Sequence, residues 1–290
     1  MVQPPKRRME GFPKAGSVAQ QQQKSLLSVD AQMSVVDYAQ MAFREGTRPL
    51  AVEAPVNLVY GSVPHAVMMT TPGDLEDFAY GFSLTEGIVE DASEIRDVQV
   101  EEVEDGLRLL VELAPGRLRE HLARKRAISG RTGCGVCGIE DLDSLPCAET
   151  RQGLSLRVPV ASIAKALGAL DSAQTLGATT RAVHAAAWAL LDGTLLAVRE
   201  DVGRHNALDK LIGAMMRAGT DPAEGFLVIT SRCSFEMVEK TARLGAGMVV
   251  AISAPTSLAL ERAKEHGITL CAIARADSLT VFTGGERLVR

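Results

Sequence analysis

The 290-residue sequence lacks the features that would place it in a membrane or in a disulfide scaffold. It has no run of about 18 apolar residues, so no segment predicts a membrane-spanning helix. No apolar stretch follows its basic N-terminus, which argues against a secretory signal peptide. Five cysteines, an odd and small number, do not predict a disulfide framework. These absences predict a reduced, cytoplasmic protein without membrane contact.

Aromatic residues are also scarce, at 4% of the chain, and none occurs between Phe82 and Trp188. Proteins that bind single-stranded nucleic acid use such side chains for base stacking. The formal net charge is −5, from 31 basic and 36 acidic residues, and an excess of acid disfavours binding to a phosphate backbone. The sequence therefore predicts no nucleic-acid partner.

Composition and periodicity divide the chain into three parts. Residues 1–45 hold prolines, a glutamine run and scattered charges, and we expect a flexible tail there. Residues 46–150 predict an N-terminal α+β subdomain that ends in a cysteine-containing loop. Residues 151–290 alternate short apolar strands with helices of about ten residues, which predicts a C-terminal α/β subdomain. The expected fold class is α/β.

Particular elements support this division. In the N-terminal subdomain, strands over 50–60 and 65–70 precede a helix with Thr71 as N-cap and Pro72 at its first position. A second hairpin joins 98–103 to 107–113 around an Asp-Gly turn. In the C-terminal subdomain, apolar strands are separated by two helices and should lie parallel. These strands are expected over 226–230, 248–252 and 269–274, with the helices over 235–244 and 256–266.

The most specific motif is the segment 131–138, RTGCGVCG, in which Cys134 and Cys137 form a C-x-x-C pair. The segment also matches the dinucleotide pattern G-x-G-x-x-G, but that pattern needs a strand before it and a helix after it. Here a basic segment precedes the glycines and no helical period follows them. A dinucleotide-binding turn is therefore excluded.

Zinc is the next interpretation of a C-x-x-C pair. A structural zinc site needs four ligands, and the chain has no second C-x-x-C. A deaminase zinc site needs H-x-E and P-C-x-x-C, but no histidine has Glu two residues later and Gly precedes Cys134. A zinc-binding, deaminase-like enzyme therefore stays only as an alternative.

Thiol chemistry is the interpretation that these residues favour. Only a thiolate attacks, and nearby cations or backbone N–H groups lower the pKa of a cysteine. Arg131 and the basic segment before it supply cations, and the glycines allow backbone amides to approach a sulfur atom. From the residues alone, sulfur transfer and disulfide exchange are equally supported.

Two polar segments, 199–206 and 230–236, follow predicted strands of the C-terminal subdomain. Ligands of open α/β sheets bind outside such strand ends, and a helix N-terminus favours an anion. Arg204 could bind phosphate oxygens, and Glu200 or Asp201 could accept a hydrogen bond from a nucleobase amine. A polar cap with salt bridges is the simpler interpretation.

Three other conspicuous side chains are interpreted as structural. Cys233, beside a strand end, is expected to be a small packing residue instead of a nucleophile. His184, on an apolar strand, and His65 are expected to be hydrogen-bonded core histidines.

Several unusual stretches, in the right order, resemble the FdhD family of sulfur carrier proteins, which are needed for formate dehydrogenase activity. The resemblance covers about 48–290, and its specificity comes from these stretches together, since a C-x-x-C pair alone is common. The stretches are Asp74–Ala79, Gly81–Leu84, Gly133–Gly138, Glu200–Asn206 with Asp209 and Lys210, Ser231–Met237, and Ser253–Thr256.

The resemblance implies a cytidine-deaminase-like mixed sheet flanked by helices, without the deaminase zinc. It implies a cytoplasmic sulfurtransferase that receives sulfur from a cysteine desulfurase as a persulfide on Cys134, assisted by Cys137. The sulfur would pass to the molybdenum (or tungsten) bis(molybdopterin guanine dinucleotide) cofactor before that cofactor enters the formate dehydrogenase catalytic subunit. The alternative is a cofactor-binding chaperone without sulfur chemistry.

The resemblance also implies where this cofactor binds. The family's contact segment corresponds here to Ile273, Ala274, Arg275, Ala276, Asp277 and Ser278. Ile273 stands where the family commonly has an aromatic residue. The phosphates and guanines are expected near Arg275, Arg204 and Arg232. No permanently bound metal is expected, and homodimers are usual in the family.

Overall fold

The computed structural model describes residues 27–127, 148 and 156–290, and of residues 124–127 it gives the backbone alone. Its elements up to residue 127 are β1 (Ser28–Asp37), β2 (Ala42–Ala51), β3 (Ala54–Tyr60), β4 (Val63–Thr70), α1 (Leu75–Thr85), β5 (Ile95–Val103), β6 (Gly106–Leu113) and α2 (Pro115–Ala127).

The elements from residue 156 onward alternate more regularly. They are β7 (Val158–Pro159), α3 (Val160–Ala173), α4 (Thr175–Thr180), β8 (His184–Leu190), β9 (Leu195–Asp201), α5 (Arg204–Ala218), β10 (Gly225–Ile229), α6 (Phe235–Leu244), β11 (Met248–Ala251), α7 (Ser257–Glu265), β12 (Thr269–Ala272), β13 (Thr280–Thr283) and β14 (Leu288–Val289). Short 3₁₀ turns cover Ala92–Glu94, Pro222–Glu224 and Gly285–Arg287.

The main sheet has six strands in the order β13-β12-β11-β10-β8-β9. Strands β10, β11 and β12 run parallel and are joined through α6 and α7, whereas β8, β9 and β13 pair antiparallel with their neighbours. The predicted strand–helix alternation and the mixed sheet are therefore confirmed. Parallel strands are buried on both faces, which explains the continuous apolar runs of β10 and β11.

A second sheet of four strands, in the order β4-β3-β6-β5, belongs to the N-terminal half. The two predicted hairpins form its two antiparallel pairs, and β3 joins β6 in parallel between them. Helix α1 connects the two hairpins, and its Phe78 and Phe82 lie in the same core cluster as Trp188 of the main sheet. The N-terminal sheet, α1 and the main sheet therefore share one apolar core.

The two faces of the main sheet bury different helices, because successive side chains of a strand point to opposite faces. Leu227 and Val249 face the cluster that contains α5, α6 and α7. Val228 and Val250 face the second cluster, which contains Ile163 and other residues of α3. The sheet is thus covered by three helices on one face and by α3 on the other.

Helices α1 and α5 cross at a pair of glycines. A Cβ on Gly81 would lie 1.7 Å from the carbonyl oxygen of Asp209, and a Cβ on Gly213 would lie 1.8 Å from that of Asp77. Real Cβ atoms cannot approach backbone so closely, so each helix depends on the glycine of the other. The crossing brings α1 against α5, the helix that begins at Arg204.

A buried ion pair fastens the beginning of α5 to the N-terminal half. The ammonium of Lys210 lies 2.7 Å from Oδ2 of Asp201, and both side chains are 0% exposed. The ammonium also donates to the carbonyl of Thr71 at 2.8 Å. Asp201 accepts from the hydroxyl of Thr70, from Thr71 N at 2.9 Å and from Gly203 N at 2.7 Å. The loop between β9 and α5 is therefore held in one conformation.

Two sequence predictions are wrong in this part of the chain. A flexible tail was expected over residues 1–45, but residues 28–45 belong to an antiparallel hairpin of β1 and β2 over 28–51, and the part of that prediction over 1–26 lies outside the described residues. Apolar and polar residues alternate along β1, which is the pattern of a strand, but the many polar residues made the segment resemble a tail. Thr71 is not the N-cap of α1, since the cap residue is Asp74 and the Thr71 hydroxyl accepts from Val202 N at 3.1 Å.

Other boundaries agree within a few residues, and the division at residue 150 stays a prediction. None of the helices in the described ranges is long and apolar enough to cross a membrane.

We predict that Gly213→Ala destabilises the protein by about 3 kcal/mol, because the added methyl group forces α1 and α5 apart. Alanine ordinarily stabilises a helix relative to glycine by about 0.5–1 kcal/mol. Gly168→Ala, in α3 with no atom within 4 Å of the added carbon, is the matched control and should be stabilising. Denaturant midpoints of both variants measure this, and equal shifts would contradict the proposed crossing.

We predict that Asp201→Asn costs about 3–5 kcal/mol, since it leaves the Lys210 charge buried without its partner. Adding Lys210→Met to that variant should recover part of the loss, because no unpaired charge remains. Exposed Asp171→Asn is the control and should change the unfolding free energy by less than about 0.5 kcal/mol. Additive losses in the double variant would show that the two side chains do not interact.

Candidate functional site

Polar side chains collect at one edge of the main sheet, which we name the carboxyl edge. It comprises the ends of β9, β10, β11 and β12, the start of β8, and the loops that leave them. Because β10, β11 and β12 are parallel, their carboxyl ends meet there, and β8 begins there because it is antiparallel to β10. This is the side of an open α/β sheet at which ligands bind.

The end of β9 contributes two carboxylates, and both already accept hydrogen bonds within the protein. Glu200 accepts from Leu176 N at 2.9 Å and from Gly177 N at 2.7 Å, and so caps the start of α4. Asp201 is engaged by Lys210 and by backbone N–H groups. Asp201 is fully buried and cannot reach a ligand, so the interpretation as a polar cap with a salt bridge fits these contacts, and a nucleobase contact of Glu200 stays a prediction. The spacing identified acidic residues but not the direction in which they point.

Helix α5 presents its first turn to the carboxyl edge. Its N-cap is Gly203, and no side chain caps the helix. Arg204, the first residue, is half-buried, and no hydrogen bond or ion pair joins its guanidinium to another residue in the described ranges. A helix N-terminus and a free guanidinium both favour an anion. The predicted role of Arg204 in phosphate binding is compatible with this placement.

His205 and Glu236 connect the first turns of α5 and α6. Nε2 of His205 lies 3.3 Å from Oε2 of Glu236, and the same oxygen accepts from the Ser234 hydroxyl at 2.8 Å. These two hydrogen bonds, with the His205 contact first, lower the pKa of Glu236. The carboxylate therefore stays ionised beside the His205 ring. The sequence analysis identified both segments but did not pair His205 with Glu236, although each residue lies in the first turn of a helix that follows a strand of the main sheet.

His184 lies at the start of β8, opposite Asp201 of β9. It is half-buried at the carboxyl edge and makes no hydrogen bond to a residue that the structure describes, so its interpretation as a hydrogen-bonded core histidine is wrong. Burial lowers the pKa of His184, and the positive charge of Arg204 lowers it further. The lowered pKa favours the neutral form of this imidazole.

The loop after β10 carries Arg232 and Cys233. Arg232 is exposed at the carboxyl edge, without an ion pair among the described residues, and is available to a ligand. Cys233 is 0% exposed, and burial raises the pKa of its thiol to about 12. Its backbone bridges to the loop after β11, donating to Ala254 O and accepting from Thr256 N. The prediction that Cys233 is a packing residue is confirmed.

The segment after β12 contains the predicted cofactor contacts. Ile273 has a φ of 52°, a left-handed conformation that is unusual for a β-branched residue, and its side chain is 40% exposed. Ala274 is buried in the core and offers no side chain to a ligand. Nη1 of Arg275 donates to Ile252 O at 2.6 Å and to Ala274 O at 2.8 Å. Arg275 therefore uses part of its guanidinium to hold this turn.

A largely apolar groove of about 340 Å³ lies beside this turn. Residues of α3 form one wall, and the turn with β13 and β14 forms the other. The lining residues are Val160, Ala164, Leu167, Arg275, Ala276, Asp277, Ser278, Leu279, Val281 and Leu288. The groove places Ala276, Asp277 and Ser278 where a ligand could contact them.

Cys134 and Cys137 lie outside the described residues, so the structure does not place the predicted nucleophile. Ala148, eleven residues after Cys137, is described and buried, and its N–H donates to Oε2 of Glu239 at 2.6 Å. The other oxygen of Glu239 lies 3.0 Å from Nε2 of His266. Helix α6 thus anchors the chain shortly after the cysteines, a contact that no sequence pattern indicated.

Two imidazoles lie near the other end of the segment that contains the cysteines. His121 of α2 and His65 of β4 have ring centroids 5.1 Å apart and pack against Tyr60. His65 belongs to an aromatic cluster at the edge of the N-terminal sheet and does not lie in the middle of the core. In the ranges 27–127 and 156–290, no three His, Cys, Asp or Glu side chains are grouped to hold a metal ion.

Comparison with known proteins identifies relatives of this chain. A protein described as "Sulfur carrier protein FdhD" from Xanthomonas euvesicatoria is 48% identical over 239 residues, which are 82% of this chain and 85% of that protein. The protein of the same name from Cupriavidus necator is 47% identical over 242 residues, covering 82% and 83% of the two chains.

A solved structure is also similar. The crystal structure of a protein described as a formate dehydrogenase accessory protein from Desulfotalea psychrophila aligns with a TM-score of 0.70 and 26% identity. The alignment covers 91% of this chain and all of the other. The sequence profile of the FdhD/NarQ family matches residues 51–289, most of the chain. The chain belongs to the FdhD/NarQ family.

Proposed function

We propose that this protein is a sulfur carrier that serves formate dehydrogenase, accepting sulfur from a cysteine desulfurase on Cys134 and delivering it to the molybdenum bis(molybdopterin guanine dinucleotide) cofactor. The observation that carries the proposal is the name "Sulfur carrier protein FdhD" of relatives that are 47–48% identical over most of both chains. The accessory-protein description of the similar solved structure supports the link to formate dehydrogenase. A cytosolic location follows from the reduced state that a persulfide carrier needs.

Sulfur acquisition is a thiol exchange. The Cys134 thiolate attacks the terminal sulfur of the desulfurase persulfide, a new sulfur–sulfur bond forms, and the donor bond breaks. The desulfurase thiolate leaves and Cys134 holds the persulfide. This exchange needs no external oxidant, because the sulfur keeps its oxidation state. A sulfurtransferase of this kind is the enzymatic activity that we propose.

Delivery uses the second cysteine. The Cys137 thiolate attacks the Cys134 sulfur of the persulfide, forming a disulfide and releasing the terminal sulfur to the metal as hydrosulfide. A cellular dithiol reductant then returns the two thiols. The hydrosulfide loses its proton as it becomes a sulfido ligand, and His205, supported by the ionised Glu236, is the group at the carboxyl edge that we assign to accept it.

The cofactor, as cargo, needs a site for phosphates and guanines. The carboxyl edge supplies the N-terminus of α5, the guanidiniums of Arg204 and Arg232, and the groove beside Arg275. Guanidinium groups bind phosphate oxygens through bidentate hydrogen bonds, and an apolar groove suits a flat ring system. This combination supports a nucleotide-bearing cargo over a small anion.

We expect Cys134→Ala to abolish transfer of labelled sulfur from a desulfurase to this protein and to prevent activation of formate dehydrogenase, because no thiolate remains to form the persulfide. Cys137→Ala should still acquire the label but deliver it more slowly, and Cys147→Ala is the control. Mass spectrometry of the loaded protein follows the label.

Label on Cys134→Ala would overturn the assignment. Normal activation of formate dehydrogenase after both cysteines are removed would instead favour a cofactor-binding chaperone, and one tightly held zinc per chain would favour the zinc alternative.

We expect Arg204→Gln and Arg232→Gln each to weaken GDP binding by about 10- to 100-fold, since a charge-assisted contact to phosphate is worth about 1.5–3 kcal/mol. Arg96→Gln, an exposed arginine on β5 of the other sheet, should leave the dissociation constant unchanged. Titration calorimetry at two salt concentrations measures both effects, because phosphate contacts weaken as salt screens them. Equal affinity in all variants would exclude the carboxyl edge as the nucleotide site.

A further inference from the structure

The four-stranded N-terminal sheet has one face that the described elements leave open, which we name the outer face. Helix α1 packs on the inner face, where alternate side chains of β3 and β6, such as Leu58 and Leu109, lie in the core. The side chains between them point the other way. Val67 and Met69 of β4 and Val103 of β5 belong to this outward set, and they are 59%, 48% and 38% exposed. Apolar side chains grouped on one open face mark an interaction surface.

One row of side chains crosses the outer face through all four strands. Val67 of β4 lies opposite Asn57 of β3, which in turn lies beside Arg108 of β6. Arg108 lies opposite Glu101 of β5, and their side chains form an ion pair at 3.5 Å. Neighbouring strands are about 4.8 Å apart, so three steps separate the apolar end of this row from its acidic end by about 14 Å.

The β5 side of this sheet is strongly acidic. Residues 96–112 contain six acidic and two basic residues, and all six acidic side chains are exposed. They are Asp97, Glu101, Glu102, Glu104, Asp105 and Glu112. Apart from the pair between Glu101 and Arg108, none of them forms an ion pair within the described part of the chain. Like charges this close repel one another, so this side favours a basic partner.

The sequence that precedes the described residues has the opposite charge. Residues 1–26 contain five basic residues and one acidic residue, and Lys6, Arg7 and Arg8 are consecutive. Phe12, the one aromatic residue among them, follows Arg8 by four positions. This segment therefore carries a basic group and an apolar group in close succession, which complement the two ends of the row.

The segment joins the described chain at one end of the same sheet. Leu27 O accepts from Val52 N, two residues before β3 begins at Ala54. The carbonyl oxygen of Pro55 lies against the turn between β5 and β6, where a Cβ on Gly106 would be 2.3 Å from it. Three residues of chain, at most about 11 Å, therefore separate the attachment of the segment from the acidic turn.

We infer that residues 1–26 dock on the outer face of their own chain, with the basic run 6–8 on the acidic β5 side and Phe12 on the apolar β4 side. Four residues of extended chain span about 13 Å, which matches the length of about 14 Å of the row across the strands. Arg8 therefore contacts Glu101 in the same arrangement in which Phe12 contacts Val67.

The prolines of the segment favour a path across the strands over pairing with β5. In the described ranges β5 pairs with β6 alone, so its other edge is open. A proline cannot donate a ladder hydrogen bond, and Pro4, Pro5 and Pro13 lie on both sides of the run from Lys6 to Phe12. The contacts that we assign are therefore made by side chains, and the docked segment shields the open edge from other chains.

Covalent attachment is the reason that we assign this segment and not another basic protein. Arg8 precedes Leu27 by 19 residues, which provide up to about 60 Å of chain, whereas β5 is about 30 Å long. Exposed ion pairs are individually weak. A tethered segment, however, has an effective concentration in the millimolar range, at which several weak contacts together are sufficient.

Zero-length cross-linking of the full chain tests the contact. A carbodiimide joins a lysine amine to a carboxylate only where the two groups touch, and mass spectrometry should find Lys6 joined to residues 101–105. Arg7→Glu with Arg8→Glu should lower this yield about fivefold or more, because like charges then face each other. Salt at about 1 M should also lower the yield, because it screens exposed charges.

Arg181→Glu with Lys264→Glu makes the same change of charge at two exposed positions elsewhere in the chain and is the matched control. It should leave the yield unchanged. Absence of a cross-link between Lys6 and residues 101–105, or equal yields in the two double variants, overturns the inference.

Two further measurements test the apolar contact and the assignment to the same chain. Phe12→Ser should lower the cross-link yield about twofold or more, whereas Val18→Ser in the same segment should not, because Phe12 is the residue assigned to the apolar side. Chains labelled with heavy nitrogen are mixed with unlabelled chains in denaturant and refolded together before cross-linking. Pairs within one chain are uniformly heavy or uniformly light.

Mixed heavy and light pairs at the frequency of random association would show that the segment binds another molecule. Equal yields from Phe12→Ser and Val18→Ser would show that the apolar side of the face is not used. Either result overturns the inference as stated, and neither bears on the sulfur chemistry.

Discussion

The buried contact between the Asp201 carboxylate and the Lys210 ammonium is the constraint on which the carboxyl edge depends. Two fully buried charges are tolerated only where their remaining hydrogen-bonding positions are filled, and here Thr70, Thr71 and Gly203 fill them. Those partners come from the end of β4, the turn before α1 and the loop before α5. The ion pair and its hydrogen bonds thus hold the N-terminal sheet against the loop that orients Arg204 and His205. Apolar packing alone would let these elements slide past each other, because it lacks directed contacts.

The crossing of α1 and α5 acts together with this ion pair. Gly81 and Gly213 let the two helix backbones touch, while Asp77 of α1 accepts hydrogen bonds from Arg199 of β9 and Arg217 of α5. Close backbone contact fixes the distance between the helices, and the directed hydrogen bonds fix their rotation. The first turn of α5 therefore occupies a defined position relative to β9, as the phosphate-binding site that we propose requires.

Much of the fold could be predicted from the sequence, and the failures have physical causes. The helix over 235–244 and the strands around it were predicted closely, because burial on both faces produces long apolar runs between periodic helices. The hairpin over 28–51 was missed because about half of its strand residues are polar and no core pattern accompanies them. The site residues were found by type, yet the partners of Glu200 and Asp201 depend on long-range contacts, which local spacing does not encode.

Helix α6 shows how two parts of the proposed site are joined. Glu236, in its first turn, holds His205 at the carboxyl edge, and Glu239, one turn later, holds Ala148 shortly after the cysteines. The Cα atoms of these two residues are about 4.5 Å apart along the helix axis, since each residue advances 1.5 Å. A shift of α6 would therefore alter the His205–Glu236 contact and the Ala148–Glu239 contact together. Because the core packs Met237 and Val238 of this helix against the main sheet, such a shift is costly, and the contacts of Glu236 and Glu239 keep a fixed spatial relation.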